Sequence, residues 1–457
     1  MLTQILFAVV SAAALGGFAW QLNRIRQSIA LGRPEARHGQ PVERWKKMLL
    51  VALGQQKMFA QPLPALMHFA IYAAFLLTQV ELLEIFVDGF SGSHRIFRPA
   101  LGGFYTFVIS LIEVLSLLAL VATFAFLARR NLLKVPRLSM SELNGWPKLD
   151  GNLILYGEIV LVVCIFMMNG ADEVLYTRGA SHAAGAEGVS GSFGFALSQW
   201  IGPLLFGGIE SPDTLHLLER IGWWGHILVV FSFLNYLPVS KHFHIIMAFP
   251  NTYFSNLKPS GAFTSPAHIQ EEIKAILDPG YTPAEVPDAP KRFGARDVND
   301  LSWKSLMDAY TCTECGRCTS MCPANLTGKK LSPRKIVMDV RDRLEEVQRY
   351  GLVVGEDGNL TPGRQIAGAE EAATRHLLGD PYITEEELRA CTTCNACTEA
   401  CPVNIDPLSI IVELRRYLVM EESSMPEAWG AMHNNIENNG APWPMPAADR
   451  FNWADEL

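Results

Sequence analysis

The chain has 457 residues, which gives room for two or three domains. Hydrophobic residues make up 49% of it, and the apolar excess lies towards the N-terminal end. The formal net charge of −8 averages a basic membrane part against an acidic remainder, and no nucleic-acid-binding motif is present, so we expect no nucleic-acid partner.

Five stretches in the first half of the chain are long and apolar enough to cross a bilayer, which takes about 20 apolar residues. The predicted spans are residues 2–20, 64–87, 103–128, 152–172 and 216–240. Basic residues follow the first apolar run instead of preceding it, so we interpret this run as a retained helix and not as a cleaved signal peptide. The sequence therefore predicts a five-helix transmembrane domain over residues 1–250.

Basic residues are distributed unevenly among the loops between these spans. The loops after the first and third spans are rich in them, whereas the other two loops are poor. They are Arg24, Arg26, Arg33, Arg37, Arg44, Lys46 and Lys47 in the first loop, and Arg129, Arg130, Lys134, Arg137 and Lys148 in the third. The positive-inside rule then predicts a prokaryotic cytoplasmic membrane protein with its N-terminus outside and the residues after 240 in the cytoplasm.

Histidine inside a membrane span is costly and usually functional. His68 lies near the start of span two and His226 lies inside span five, so we expect these two to hold one haem b between facing helices. His244 lies five helical turns after His226 and, with His242, is the candidate ligand of a second haem. The alternative is that His242 and His244 bind lipid phosphates or helix-end carbonyls.

Buried charge is the other unusual feature of the spans. Glu113 and Glu158 lie within spans three and four, and Lys241 follows span five. These three are candidates for a quinone or proton site, which we expect near the ends of spans two and five where His68 and Lys241 approach each other. An equal alternative is that the carboxylates form structural ion pairs with arginine.

The composition changes after Pro250. Residues 251–304 are rich in proline, serine, glycine and charge and are predicted to be a linker. Residues 305–425 are predicted to be a helical cluster domain, with helices at 336–350, 384–390 and 407–420. The tail, residues 426–457, is expected to dock a partner.

Eight of the nine cysteines form two copies of the motif C-x2-C-x2-C-x3-C-P. This run is the ligand pattern of paired [4Fe–4S] clusters, in which the fourth cysteine of each run binds the other cluster. Zinc sites need fewer cysteines per run and disulfides belong to small secreted domains, so neither alternative explains the pattern. The assignment is Cys312, Cys315, Cys318 and Cys401 for the first cluster, and Cys391, Cys394, Cys397 and Cys322 for the second.

These motifs, together with several shorter stretches, resemble a known family. The stretches are residues 54–57, 66–68, 240–244, 311–318, 415–417, 438–440 and 452–453. The membrane part resembles the haem-bearing part of the gamma chain of respiratory nitrate reductase and the membrane subunit of heterodisulfide reductase. The cluster part resembles the helical ferredoxin subunit of heterodisulfide reductase. The joined form is similar to the electron-transfer-flavoprotein:menaquinone oxidoreductases of heterodisulfide-reductase type.

The resemblance implies an all-α fold, a five-helix transmembrane haem b bundle followed by a cytoplasmic dicluster [4Fe–4S] ferredoxin domain. It implies the membrane subunit of a respiratory oxidoreductase that moves electrons between a cytoplasmic partner and menaquinone. The sequence up to Leu457 holds no paired Cys-Cys-Gly motif, so we expect a separate iron–sulfur subunit with that motif, or an electron-transfer flavoprotein, as the partner. The alternatives are an electron-relaying membrane anchor without its own quinone site, and an anchor that binds no haem.

Overall fold

The computed structural model describes residues 1–259, 261–262, 265–284 and 292–455. Its helices are α1 Leu2–Ile29, α2 Pro41–Met48, α3 Pro62–Ser91, α4 Arg98–Leu101, α5 Gly103–Asn131, α6 Trp146–Thr177, α7 Ser198–Phe206, α8 Pro212–Tyr236, α9 His244–Tyr253, α10 Ala267–Leu277, α11 Trp303–Thr311, α12 Arg317–Ser320, α13 Pro323–Leu326, α14 Pro333–Tyr350, α15 Ala369–Thr374, α16 Glu385–Ala390, α17 Ala396–Ala400, α18 Pro407–Met420, α19 Glu427–Asn439 and α20 Asn452–Asp455. The strands are β1 Leu352–Val354 and β2 Leu360–Pro362, which pair antiparallel.

The five predicted spans are confirmed as the long apolar helices α1, α3, α5, α6 and α8. Several of these helices extend beyond the predicted apolar runs because the helical backbone continues into polar flanks. Proline in the first turn starts α3, α6 and α8, where its missing N–H group costs no hydrogen bond. The chain is therefore a membrane protein with a predominantly helical fold.

Small residues let the central helices α6 and α8 approach closely. A Cβ atom added at Gly222 of α8 would lie 2.8 Å from the carbonyl oxygen of Cys164 in α6, so only glycine fits there. Around this contact, α1, α3 and α8 share an aromatic core in which Phe7 packs against Phe86 and Trp223. Cys164 is buried and serves as a packing residue at this crossing.

The end of the bundle away from the cysteine motifs is closed by a buried polar network. Arg95, in the loop after α3, donates hydrogen bonds to Asp172 at 2.7 Å, to Asn169 at 2.7 Å and to Tyr105 at 3.0 Å. Tyr105 in turn donates to Glu84 at 2.7 Å. Every charge in this network has a partner, so the loop is fixed firmly onto the helices.

The opposite end of the bundle, here called the cluster end, shares one hydrophobic core with the cysteine-bearing region. Ile25 of α1, Phe243 and Met247 are buried in the same core as the helices α11, α14 and α18. Ala295, Val298 and Leu301 also belong to this core and are fully buried. The predicted linker over residues 251–304 is therefore wrong at its C-terminal end, since residues 292–304 fold with the cluster region; residues 260, 263–264 and 285–291 lie outside the described structure.

The helices predicted within the cluster region are confirmed as α14, α16 and α18. Ser332 accepts a hydrogen bond from the backbone N–H of Lys335 and begins α14, and Thr384 forms a capping box with Glu387 at the start of α16. The short β1–β2 hairpin between α14 and α15 was not predicted. The hairpin lies in the segment between the two cysteine motifs, and none of the predicted site residues lies in it.

Candidate electron-transfer site

The two cysteine motifs fold into matching loops. Each loop begins where a short helix ends, at Thr311 for the first motif and at Ala390 for the second. In the first loop Glu314 and Gly316 have positive φ angles of 55° and 70°. The corresponding residues of the second loop, Thr393 and Asn395, have φ angles of 58° and 64°. The same left-handed turns therefore shape both loops around their cysteines.

The fourth cysteine of the second motif lies with the first motif. Burial, together with the nearby thiols of Cys315 and Cys312, raises the pKa of the Cys401 thiol to about 12. Burial also raises the pKa of Cys318, and the strongest effects of other thiols on it come from Cys315, Cys312 and Cys401. The structure thus brings together the four cysteines assigned to the first cluster.

The fourth cysteine of the first motif lies correspondingly with the second. Burial raises the pKa of the Cys391 thiol, and the thiols that act on it are those of Cys322 and Cys394. Burial raises the pKa of Cys397 to about 12, and Cys391 is the thiol that acts on it. The crossed pairing of Cys401 and Cys322 is the geometry that two neighbouring four-iron clusters require.

The chemistry of the donor set fits [4Fe–4S] clusters. All nine cysteines are free thiols, and backbone N–H groups point at the sulfur atoms. Glu314 and Thr393 each donate to the first cysteine of their own motif at 3.4 Å, and Ile405 donates to Cys401 at 3.3 Å. Such hydrogen bonds stabilise cluster sulfur.

A cation also lies near the first cysteine of each motif. Arg341 counteracts the effect of burial on the pKa of Cys312, and Arg415 does the same for Cys391. Arg415 is held in place by hydrogen bonds to the carbonyl oxygens of Leu388 and Cys391. These arginines offset the negative charge of the thiolates.

At the cluster end of the bundle, three histidines come together. The rings of His68 and His244 have centroids 6.4 Å apart at an interplanar angle of 46°, and those of His242 and His244 lie 5.6 Å apart. Burial lowers the pKa of His242 to about 3 and also lowers that of His244. Both imidazoles are therefore neutral, as metal ligands must be.

The hydrogen bonds of His68 and His244 leave the same nitrogen free on each ring. Nδ1 of His68 lies 3.2 Å from Oε1 of Gln55, and Nδ1 of His244 lies 3.1 Å from the carbonyl oxygen of Lys241. Since both partners are acceptors, each Nδ1 carries the proton and each Nε2 keeps its lone pair. This donor set fits a haem with two axial imidazoles.

The structure does not bring His68 and His226 together, contrary to the predicted haem pair. Phe86 of α3 packs against Phe231 of α8 with ring centroids 5.7 Å apart. His226 lies five residues from Phe231, whereas His68 lies 18 residues before Phe86, about 27 Å along the same helix. Two residues so far apart cannot bind one iron, and His244, assigned to a second haem from the sequence, is the residue that faces His68.

Lys241 is held in a buried ion-pair network with the first cysteine loop. Its ammonium group binds Glu314, which lies between Cys312 and Cys315, and also lies 3.8 Å from Asp150. Glu314 binds Arg341 as well, and these cations lower the pKa of its carboxyl group against the effect of burial. A cluster loop is therefore joined directly to the turn that carries His242 and His244.

A second contact joins the same loop to the start of α3. Arg317, between Cys315 and Cys318, lies within 3.3 Å of the Lys57 carbonyl and 3.4 Å of the Met58 carbonyl. Gln55, which lies two residues before Lys57, forms a hydrogen bond with His68 through its side chain. The first cysteine loop therefore contacts both segments that carry the histidines, the turn with His242 and His244 and the start of α3 before His68.

The predicted quinone or proton residues have separate environments. Glu113 accepts hydrogen bonds from Asn169, from the backbone of Leu197 and from Ser198, so its carboxylate is fully engaged. Glu158 is half-buried in the middle of α6. Glu113 is joined through Asn169 to Arg95 at the far end of the bundle, whereas Lys241 is occupied by its ion pairs at the cluster end. The three residues do not form one site.

Comparison with known proteins also indicates an iron–sulfur protein. Residues 311–405 match the family model described as a 4Fe-4S dicluster domain. The chain is 30% identical to the probable iron-sulfur-binding oxidoreductase FadF of Bacillus subtilis, covering 99% of this chain and 61% of that protein. It is 28% identical to the EtfAB:quinone oxidoreductase of Syntrophomonas wolfei, covering 89% of this chain and 53% of that protein.

A third relative belongs to the dihydromethanophenazine:CoB–CoM heterodisulfide reductase of Methanosarcina barkeri. This component of the reductase is 26% identical over 36% of this chain and 37% of its own length. The predicted resemblance to heterodisulfide-reductase-type iron–sulfur oxidoreductases is confirmed. The chain spans about 61% of the length of the Bacillus relative and 53% of that of the Syntrophomonas relative. No solved structure matches it.

Several residues of this iron–sulfur site were missed from the sequence. Gln55 was not predicted as a site residue, whereas the structure shows that it orients His68. Glu314 and Arg341 were not considered, although an acid between two cluster thiolates requires nearby cations. The acidic residue between the cysteines was therefore the signal in the sequence that cations lie nearby. Only the fold shows which cations these are.

Proposed function

We propose that this chain is the membrane subunit of a respiratory oxidoreductase, moving electrons between a cytoplasmic redox partner and the membrane quinone pool. The observation that carries the proposal is the contact between the first cysteine loop and the histidine-bearing end of the bundle, made by Glu314 with Lys241 and by Arg317 with the Met58 carbonyl. A cluster site and a haem site joined in this way form a continuous path for electrons.

In the proposal, two [4Fe–4S] clusters would each carry one electron at a time. The burial of the cysteines indicates which cluster would lie nearer to a partner and which nearer to the bundle. The second motif lies towards solvent, since Cys394 is exposed, and it is the entry point for a partner's electrons. Cys312 and Cys401 are buried at the first site, next to the bundle. With clusters bound at both sites, electrons from a partner would enter at the second site and reach the bundle through the first.

His68 and His244 are the residues that would hold one haem b in this proposal, and the haem would supply a further one-electron centre when bound. Gln55 and Lys241 orient the two rings through their oxygen atoms. His226 is buried, and its Nδ1 atom has no partner within the described structure. A second haem at His226 would need a second ligand, and span two offers no histidine at that level.

We infer the orientation from the loops: the N-terminus lies outside and the cluster region lies in the cytoplasm, where a reducing environment keeps cluster thiols intact. The partner is an electron-transfer flavoprotein, a Cys-Cys-Gly iron–sulfur subunit, or both, and the quinone is menaquinone. The name of the Syntrophomonas relative, EtfAB:quinone oxidoreductase, supports an electron-transfer flavoprotein and a quinone as the two redox partners. Exposed Trp429, Trp443 and Trp453 in the tail support the proposal that the tail docks the partner.

The second candidate function is an electron-relaying anchor without its own quinone site. The engagement of Lys241 and Glu113 by internal partners favours it, because two of the three predicted quinone-site residues have no free polar group for a quinone.

One anaerobic experiment tests the proposal and separates the two candidates. The purified full-length chain is reduced with dithionite, then mixed with a soluble menaquinone analogue while the haem α-band and the cluster absorbance are followed. We expect both signals to appear on reduction and to disappear on addition of the quinone. Reduction without reoxidation by the quinone supports the anchor, and a preparation with cluster absorbance but no α-band contradicts the haem path.

A further inference from the structure

A cavity of about 480 Å³ lies between the membrane part and the cluster region, on the side of the molecule that carries α2. Its walls come from α2 and the turns after it, from the segment after α9, and from the cluster-region helices α11 and α18 with the loop between Asn395 and Asp406. The volume is in the range of small-molecule sites, about 300–1,000 Å³. Neither the quinone proposal nor the haem proposal uses this cavity.

Cations line the cavity on most of its sides. They are Arg37, Lys46, Lys47, Lys57, Lys258 and Lys304. Four acids, Glu43, Asp308, Glu399 and Asp406, also line it. Asp308 is neutralised by Lys304 at 2.6 Å, and Asp406 caps α18 by accepting from the backbone N–H of Ser409. Glu399 lies 3.9 Å from the ammonium group of Lys57, and Arg37 pairs with Glu35 at 2.7 Å. Three lysines then remain against two acids, so the remaining charge of the lining is positive; the lysines are Lys46, Lys47 and Lys258, and the acids are Glu43 and Asp406.

Neutral groups hold several of these cations in place. The ammonium group of Lys47 donates to the carbonyl of Asn256 at 3.0 Å, and that of Lys57 donates to the amide oxygen of Asn404 at 3.0 Å. A carbonyl or an amide fixes the position of an ammonium group but does not cancel its charge. The site is therefore preorganised for an anion.

An apolar edge adjoins this cationic cavity. Val42 and Trp45 of α2 are 75% and 54% exposed, and Leu50 and Leu53 in the following turn are 47% and 45% exposed. Leu50 also lines the cavity. Exposed tryptophan and leucine beside lysine are typical of a segment that lies in the membrane interface.

We propose that this cavity binds the headgroup of an anionic phospholipid. The lysines hold the phosphate, and the acyl chains lie along Leu50 and Leu53 in the bilayer. A free phosphate ion would use the same cations but would leave the apolar edge without a function, so the lipid accounts for both observations. Because the cavity has walls from both regions of the chain, the bound lipid joins the cluster region to the membrane surface.

The test compares lipid retention by the full-length chain and by two variants. The double variant Lys46→Gln/Lys258→Gln removes two cavity cations whose ammonium groups show no hydrogen bond or ion pair within the described residues. The matched control, Lys329→Gln/Lys330→Gln, removes two exposed lysines of the cluster region that do not line the cavity. Each protein is washed in neutral detergent, titrated with phosphatidylglycerol or phosphatidylcholine, and analysed by native mass spectrometry.

We expect the unmodified chain to retain phosphatidylglycerol in preference to phosphatidylcholine. One lysine at a membrane surface contributes about fivefold to binding, so the cavity variant, which lacks two lysines, should bind phosphatidylglycerol about 25-fold more weakly. The control should bind it unchanged, and both variants should keep the iron content of the parent.

Three results would overturn the proposal. Equal retention of the two lipids would show that the chain does not prefer an anionic headgroup. An equal loss of phosphatidylglycerol binding in both variants would show that the lipid does not bind in the cavity. Displacement of phosphatidylglycerol by inorganic phosphate at the same concentration would assign the site to a free ion.

Discussion

The two cysteine motifs have the same spacing and the same left-handed turns, yet they face different surroundings. In the first motif, two residues that lie between the cysteines bind the bundle: Glu314 binds Lys241, and Arg317 binds the Met58 carbonyl. In the second motif, Thr393 occupies the position of Glu314, and Cys394 is exposed. The cysteines build two equivalent sites, and the side chains between them decide which site contacts the bundle and which is exposed.

The crossed cysteines give the largest expected effect. Cys401→Ala lies in the second motif, but it should remove the first cluster, because its thiol lies with those of Cys312 and Cys315. Iron content should fall from about eight to about four atoms per chain. Electron paramagnetic resonance of the reduced protein should show one remaining cluster.

Cys164→Ala is the control for this experiment, since its thiol is free and buried in the bundle. It should keep all the iron. If Cys401→Ala and Cys397→Ala instead removed the same cluster, each motif would bind its own cluster and the comparison between the two sites would lose its basis.

The histidines give the next largest effect. His68→Ala and His244→Ala should each abolish the haem α-band, because the two rings face each other with centroids 6.4 Å apart. His226→Ala should keep it, since His226 lies far along the bundle from His68. The measurement is the reduced-minus-oxidised spectrum of purified variants with unchanged iron content. Loss of the band in His68→Ala and His226→Ala, but not in His244→Ala, would restore the pairing predicted from the sequence.

The sequence predicted the helices and cysteines better than the contacts between distant segments. Apolar runs and the capping residues Ser332 and Thr384 are local signals, so five spans and three cluster-region helices could be predicted from them. The partner of His68 depends on how far α3 and α8 are displaced along each other, which no local pattern records. The core shared by Ile25 and Val298 likewise joins segments more than 250 residues apart, so the linker boundary was misplaced.

The ion pair between the two regions should control the rate of electron transfer. Glu314→Gln leaves the ammonium of Lys241 and the guanidinium of Arg341 buried without their shared anion, so the cysteine loop should shift from the histidine turn. Reduction of the haem after reduction of the clusters should slow on the order of tenfold to a hundredfold, as expected for small displacements of reacting groups. Stopped-flow absorbance measures this rate.

Glu142→Gln is the matched control for Glu314→Gln. Glu142 binds the fully buried Arg334 at 2.8 Å and thus also joins the membrane part to α14, but it does not bind the turn that carries the histidines. Its loss should destabilise the chain while the rate of haem reduction stays within about twofold. Equal slowing in both variants would mean that general loosening of the interface, and not the Glu314 contact, limits the rate.

The smallest expected effect comes from the residue that follows the second cysteine of each motif. This residue has a positive φ angle in both loops, but it is Gly316 in the first motif and Asn395 in the second. Gly316→Ala should destabilise the first loop by about 2 kcal/mol, because its φ of 70° disfavours a side chain. A Cβ atom there would also lie 2.5 Å from Nη1 of Arg334 and 3.0 Å from the Arg137 carbonyl oxygen. Asn395→Gly, at the matching position of the second loop, should change stability by less than about 1 kcal/mol, since glycine adopts this conformation readily. The urea concentration at which cluster absorbance is half lost measures both changes. A larger loss in Asn395→Gly than in Gly316→Ala would show that the second loop depends on the asparagine side chain, so the first loop would not be the more tightly enclosed of the two.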